Sequence, residues 1–263
     1  MTPSIPTKTR RELERMREAA RHVGEILVEL KAFAAPGVTT GEIDALARKR
    51  IRERKVESSF LGYGPHGLPG YPGVICLSVN EEIVHGIPGR RELKEGDILG
   101  LDFGVSFEGW HGDSAVTIAI GPAESLAPTA RRLLEATREA LYAGIEQMRA
   151  GHRLSDIGHA VQQRAERDGF SVVRQFVGHG IGRRLHEAPQ IPNFGEPGRG
   201  PRLLPGMVFA IEPMVNVGGA DVRMLEDQWT AVTADGSLSA HFEHTVLITD
   251  QGPEILTQVP GSH

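Results

Sequence analysis

Apolar residues recur at three- and four-residue steps in Leu13, Met16, Ala20, Val23, Leu27 and Leu30. Arg and Glu occupy the far side, so the pattern predicts an amphipathic helix from Thr9 to the Pro36-Gly37 break. The run "TTGEIDALARKRIRER" offers a threonine cap followed by Ile43, Leu46 and Ala47, a second helix. Residues 58–73, dense in Gly and Pro with two tyrosines, read as an ordered loop, and residues 74–79 as a short strand. Further on, Leu133, Leu134, Ala140, Leu141, Ile145 and Met148 mark a third helix, and "LSDIGHAVQQRAERDG" a fourth with Ser155 as its cap.

Between these helical pairs lie two strand-like runs, one from Asp97 and one from Ser114 to Ile120 beyond a turn at 109–112. By the period-2 rule Ile98, Gly100 and Asp102 share one face of the first, while Leu99, Leu101 and Phe103 share the other. Asp102 and Asp113 are therefore acids in surroundings that otherwise read as buried. An ionised carboxylate there costs several kcal/mol unless something cationic compensates it, and a metal ion is the first compensation to consider.

The order of elements repeats. Arg17-Glu18-Ala19 corresponds to Arg138-Glu139-Ala140, Gly37 and Ile43 to Gly151 and Ile157, and Gly96 to Asp102 corresponds to Gly206 to Glu212 at the same spacing of six. Asp113 before "SAVTIAIGP" corresponds to Glu243 before "HTVLITDQGPEIL". Two related halves with a boundary near residue 125 are the economical reading, and the repeat duplicates the acids, setting Asp102 and Asp113 against Glu212 and Glu243 across a pseudo-twofold axis.

Four carboxylates at repeated positions suit divalent cations, and with an imidazole they suit two ions about 3.5–4 Å apart in a hydrolytic site. His179 in "FVGHGIG" is bracketed by glycines that let backbone approach a ligand, and His186 and His85 also stand in Gly-rich surroundings. His111 is an alternative ligand, although a plain turn role fits it as well. His66, His241 and His244 are expected to be ordinary histidines.

Composition narrows the class. The 263 residues carry 29 basic and 34 acidic side chains, net charge -5, without a basic stripe, so no specific nucleic-acid partner is expected. The single cysteine, Cys76, excludes an internal disulfide and fits a reducing, cytoplasmic setting. No run approaches the ~20 apolar residues of a membrane span, and the start has no signal-peptide core, so no membrane association is expected.

Together "LDFGV", "HGDSA", "GHGIGRRLHEAP", "FAIEPMVN" and "HFEHTVLIT" resemble the type I, bacterial-type methionine aminopeptidases of the creatinase, prolidase and aminopeptidase P superfamily, from about Glu12 to the last strand. The resemblance implies an α+β "pita-bread" fold: two pseudo-twofold halves, about 11–124 and 125–258, with a curved antiparallel sheet covered by helices. Those halves form a single catalytic domain, 11–258, after a loose segment, 1–10. Prolidase-like members usually carry a separate N-terminal domain, for which residues 1–10 leave no room, and the long helical insertion of type II enzymes is missing between Glu212 and Glu243. Both points favour the methionine enzyme over an X-Pro aminopeptidase or prolidase. A non-catalytic binding homologue would be expected to have lost ligands, and all five are present.

By that resemblance two divalent ions (Co, Mn, Fe or Zn) are bound. Asp102 chelates one, Asp113 and Glu243 bridge both, and His179 and Glu212 complete the other's shell. A bridging water is the nucleophile, Glu212 also serves as general base, His186 bonds the carbonyl oxygen as it becomes an oxyanion, and His85 holds the scissile amide nitrogen. The free α-amine, bound to a metal, selects chain ends. The implied reaction is removal of the initiator methionine from nascent polypeptide N-termini when the next residue is small, by a monomer, with the ribosome as a further candidate partner. Phe60, Tyr63, Tyr71, Cys76, Leu185 and Trp229 fall where the family lines its side-chain pocket. Phe60 and Leu185 replace a small residue and an aromatic, and the 64–70 loop is longer than usual, so altered tolerance for methionine analogues is expected.

Overall fold

A computed structural model describes residues 5–259 except 65, 66 and 68; the expectation for His66 lies outside the described residues. Four α-helices are present among them: α1 (Arg10–Phe33), α2 (Thr40–Arg54), α3 (Pro128–Glu146) and α4 (Leu154–Arg167). They fall as two pairs, one in each half of the sequence repeat.

Local chemistry starts each helix. Before α1, the Thr9 backbone N–H donates to Glu12 Oε2 at 2.8 Å, and before α2 Thr39 and Glu42 make the reciprocal box, with Glu42 N–H on Thr39 Oγ1 at 3.2 Å. Pro128 opens α3, where its missing N–H costs nothing. The expected Ser155 cap of α4 is displaced. Arg153 holds the cap position, its N–H donating to Asp156 Oδ2 at 2.7 Å, while Ser155 Oγ accepts from Arg199 N–H on the neighbouring loop. The serine has an outside partner, so the acid at the third helical position takes over.

Among the described residues nine strands form one antiparallel sheet. Its central four run in the order Ile98–Phe107, Trp110–Ala119, Glu243–Thr249, Val208–Ile211, so the halves meet where Glu243 pairs with Ala115. This is the pseudo-twofold arrangement that the repeat predicts. Repeated turns agree in backbone conformation too: Gly96 and Gly206 have φ of 90° and 88°, values at home in glycine.

The hairpin differs from expectation in one respect. Its turn is confined to Glu108 and Gly109, both at positive φ, and the second strand begins at Trp110 rather than after Asp113. Asp113 is thus inside a strand, which fixes its direction. Leu99, Leu101, Phe103 and Val105 pack beneath Val23, Ile26, Leu30 and Ile43 of the first helix pair. The helices therefore cover one face of the sheet, and the alternation leaves Asp102 on the other. At Gly112 the fit is so close that a Cβ would lie 2.7 Å from the Ala20 backbone nitrogen. On the second half, Leu133, Ala140, Ile157 and Val161 close over Phe209, Ile211 and Val246.

The segment expected to be loose is docked from Lys8 onward. Its N–H donates to Gly206 carbonyl oxygen at 2.8 Å and its ammonium to Glu187 at 2.7 Å, in a largely buried pair.

Candidate metal centre and active site

Strand register assembles the site. Cys76 pairs with Asp102, Asp102 with Ala115, and Ala115 with Glu243, a row across four strands. Two residues along, a second row runs Gly104, Asp113, Thr245, Ala210, His179, with Thr245 Oγ1 bonded to both the N–H and the carbonyl of Asp113. Partners in register share a face, and rows two residues apart share it as well. Asp102, Glu243, Asp113 and His179 therefore project to one side. Between them the rows place Ala115, Gly104 and Ala210, which fill little of the space. A Cβ on Gly104 would lie 2.9 Å from Asp113 Oδ1 and 3.0 Å from the Phe60 ring.

Ligand atoms of Asp113, His179 and Glu243 all lie within 4.8 Å of one another, and Glu212 Oε1 lies 3.4 Å from His179 Nε2. Asp102 Oδ1, Asp113 Oδ1 and Glu243 Oε1 are buried with no hydrogen-bond partner. Buried acceptors left unpaired are costly, and here they converge, so each raises the proton affinity of the next. Burial pushes the Asp102 carboxyl up to about 7, against a hydrogen bond from the Cys76 thiol that works downward. Burial, then Asp102, pushes Asp113 well above the carboxylate range; burial, then Asp102 and Asp113, does so for Glu212; and burial, then Asp113, Glu212 and Asp102, for Glu243. Divalent cations are the compensation this donor set fits, four carboxylates and one imidazole.

The imidazole is prepared for that role. His179 Nδ1 donates to the Gly180 carbonyl oxygen at 2.9 Å, which leaves the lone pair on Nε2, and burial holds its pKa down at about 3, so it is neutral. His186 also is neutral, pushed to about 4 by burial and then by His111. Its ring stands 4.2 Å from that of His179. His85 adopts φ 62°, a conformation uncommon outside glycine, and meets Phe176 and Trp229 edge-on.

A cavity of about 310 Å³ opens on these groups. The sequence-predicted metal ligands Asp102, Asp113, His179, Glu212 and Glu243 all line it, with His85, His186, Phe60, Tyr63, Tyr71, Cys76, Leu185 and Trp229. The structure also adds Phe176, Met224 and Gln228. None of the three carried a sequence signal: Phe176 precedes the Gly178–Gly180 strand that bears His179, and Met224 and Gln228 lie on an excursion with no chemical marker. His111 is not drawn in as a ligand, since its Nδ1 bonds Ser59 Oγ at 2.8 Å. His244 points to the helix side, bonding Thr257 Oγ1. His241 departs from the ordinary role expected of it: its Nε2 is buried, has no hydrogen-bond partner, and lies 3.8 Å from Glu212 Oε2.

Residues 14–250 match metallopeptidase family M24. Methionine aminopeptidase 1 of Bacillus subtilis is 52% identical over 255 residues, covering 97% of this chain and 100% of the relative, and the Clostridium perfringens methionine aminopeptidase is 49% identical over 97% and 99%. The crystal structure of the Thermotoga maritima methionine aminopeptidase superposes with a TM-score of 0.93 at 45% identity, covering 97% and 100% of the two chains. The Xaa-Pro dipeptidase of Bacillus anthracis, 21% identical and covered over 63% of its length, shares the fold with a TM-score of 0.74. Geometry and full-length identity agree, and the chain belongs to the M24 metallopeptidases of pita-bread fold, within them to the bacterial-type methionine aminopeptidases.

Proposed function

We propose that the site removes N-terminal methionine from nascent proteins and peptides through the residues assembled above. The observation that carries this reading is the set of buried, unpaired carboxylate oxygens facing His179 at the floor of an apolar-walled cavity. Asp102, Asp113, His179, Glu212 and Glu243 would hold the two ions, with four carboxylates and one imidazole as donors. When bound, the two ions supply an activated water and polarise the scissile carbonyl.

The chain's own groups do the rest. Glu212 takes up the proton released on attack and returns it to the leaving amine. His186, neutral, donates from Nε2 to the carbonyl oxygen as negative charge develops there, a bond that strengthens towards the transition state. His85 fixes the amide nitrogen. Tyr71 and Trp229, 5.2 Å apart and edge to face, wall the side-chain pocket with Cys76, and aromatic and sulfur surfaces suit a thioether. The Trp229 indole N–H donates to the Pro69 carbonyl at 3.1 Å, so Pro69 supports the pocket wall.

We place this activity in the cytoplasm, in a monomer that meets chains leaving the ribosome; among the described residues no helix is long and apolar enough to cross a membrane. Release from Met-Ala-Ser, Leu-Ala-Ser and Ala-Pro peptides tests the substrate, with Met-Ala-Ser preferred; preferred cleavage of Ala-Pro would overturn it in favour of an X-Pro enzyme. Asp102→Ala and His179→Ala abolish turnover in metal-buffered assay, and unchanged activity would refute the ligand assignment.

A further inference from the structure

Glu212 stands between two imidazoles that do different work. Its Oε1 lies 3.4 Å from His179 Nε2 and its Oε2 3.8 Å from His241 Nε2. Since His179 carries its proton on Nδ1, bonded to Gly180, its Nε2 has a lone pair and nothing to donate. Glu212 Oε1 and His179 Nε2 are thus two acceptors facing one another, as two ligands of one cation do.

His241 is the opposite case. Its side chain is 4% exposed, and Nε2 is buried with no hydrogen-bond partner. Its backbone is held from two sides. His241 pairs with Met214 across the short antiparallel ladder, and its N–H donates to Thr117 Oγ1 at 2.9 Å while the Thr117 hydroxyl donates to its carbonyl at 2.8 Å. With the backbone held and the side chain only 4% exposed, the ring has no solvent partner within reach. A buried polar group left unpaired costs roughly 1–3 kcal/mol. The separation from Oε2 exceeds the usual hydrogen-bond range by only about 0.6 Å, which a small turn of the carboxylate closes.

We infer that His241 is a positioning residue for the general base: its Nε2–H is directed at Glu212 Oε2, reserving that oxygen and fixing the carboxylate so that Oε1 faces His179. The device separates the two oxygens of a single carboxylate by assigning each a different neighbour. Partners of this kind orient a ligand and commonly affect metal affinity by about 10–100-fold. The residue gave no sign of this as a lone histidine, but it stands two positions before Glu243, the spacing that shares a face in extended chain.

The inference rests on Glu212 and His179 sharing an ion. The test is calorimetric titration of the metal-free full chain with Mn²⁺, alongside kcat and KM on Met-Ala-Ser, for His241→Gln and His241→Leu. The glutamine amide keeps a donor within reach; the leucine does not. The expected result is a Mn²⁺ affinity weakened about 10–100-fold in His241→Leu, with kcat reduced and KM within about twofold, and His241→Gln within about threefold of the parent in each readout. If the leucine variant does not fold, His241→Asn, whose amide is too short, replaces it. Parent-like Mn²⁺ binding in the donor-deficient variant, or equal impairment of His241→Gln, overturns the inference. Glu212→Ala keeps the two ideas apart: unaltered Mn²⁺ binding there would defeat the shared-ion reading, whereas weakened binding there with a normal His241→Leu defeats only the role of His241.

Discussion

The Tyr63 hydroxyl lies 2.7 Å from Nδ1 of His186, a contact that spans 123 positions of sequence. With the phenol donating, Nδ1 is the acceptor and the imidazole proton resides on Nε2, the atom that the proposed mechanism has donate to the developing oxyanion. Tyr63→Phe removes the bond while keeping the ring that lies 5.2 Å from the His186 centroid. A hydrogen bond of this kind is worth about 1 kcal/mol. The expected outcome is a kcat lowered about 3- to 10-fold with KM within about twofold, measured by steady-state release of methionine from Met-Ala-Ser. An unchanged kcat would mean that His186 is held without the phenol.

Phe60 makes a second prediction, about selectivity. It is 7% exposed and its ring is pressed so near Gly104 that the missing Cβ there is what admits it beside Asp113. Phe60→Ala enlarges the pocket, and the expected outcome is a rise in the ratio of Leu-Ala-Ser to Met-Ala-Ser cleavage. Loss of a buried phenyl costs about 3–5 kcal/mol, so urea unfolding is measured in parallel. An unaltered cleavage ratio in folded protein would show that Phe60 does not bound the pocket.

How much of this was legible in the sequence depended on whether neighbours along the chain were neighbours in space. Asp102 and Asp113 were conspicuous because strand periodicity made them misfits, and the repeat located Glu212 by its spacing from Gly206 and Glu243 by the apolar run that follows it. The amphipathic stripe of α1 and the threonine caps were equally local, and the helices begin where they predicted. By contrast, the Tyr63–His186 bond, the closeness of His241 to Glu212 and the clasp of Lys8 on Glu187 each join residues remote in sequence. No periodicity reports such contacts. The Ser155 cap failed for the same reason, its hydroxyl being claimed by a loop 44 residues away.

Metal-free protein has a distinctive pH dependence. His85, His179, His186, His241 and His244 have pKa values lowered by burial to about 4, 3, 4, 3 and 4, from an ordinary 6.5. Between those values the unfolded chain binds more protons, so their effect raises stability with pH and is complete by about 6.5. The four carboxylates act in the opposite sense. Burial raises Asp102 to about 7 and, with neighbouring acids, Asp113, Glu212 and Glu243 well above their ordinary values, so the folded chain binds more protons and stability falls as pH rises through those values. Above pH 6.5 the carboxylates act alone among these groups. The urea midpoint of EDTA-treated protein is expected to fall from pH 6.5 to 8.5, with saturating Mn²⁺ removing most of the decline. A midpoint that rises over this range without metal would contradict the burial of the acids.

Lys8 supplies the last prediction. The first ten residues read as a loose segment, yet the Lys8 and Glu187 side chains are only 7% and 11% exposed, 2.7 Å apart, and Glu187 directly follows His186. Removing one partner of a buried pair leaves the other charge uncompensated, a cost of about 3–5 kcal/mol. Lys8→Ala is therefore expected to lower unfolding free energy at pH 7 by about 3 kcal/mol. The deficit has a pH signature. Burial pushes the Glu187 carboxyl up, but the Lys8 hydrogen bond and the Arg184 N–H outweigh it and hold the pKa below the ordinary 4.5. A depressed carboxylate contributes stability above its unfolded pKa and loses it as pH falls through the folded value. The difference between parent and Lys8→Ala should thus be full at pH 7 and shrink below about pH 4.5, measured from urea midpoints at pH 7, 5 and 4. A deficit that stays constant down to pH 4 would mean that the lysine acts through its ammonium over the Trp110 ring, 5.8 Å from the centroid, rather than through its pairing with Glu187.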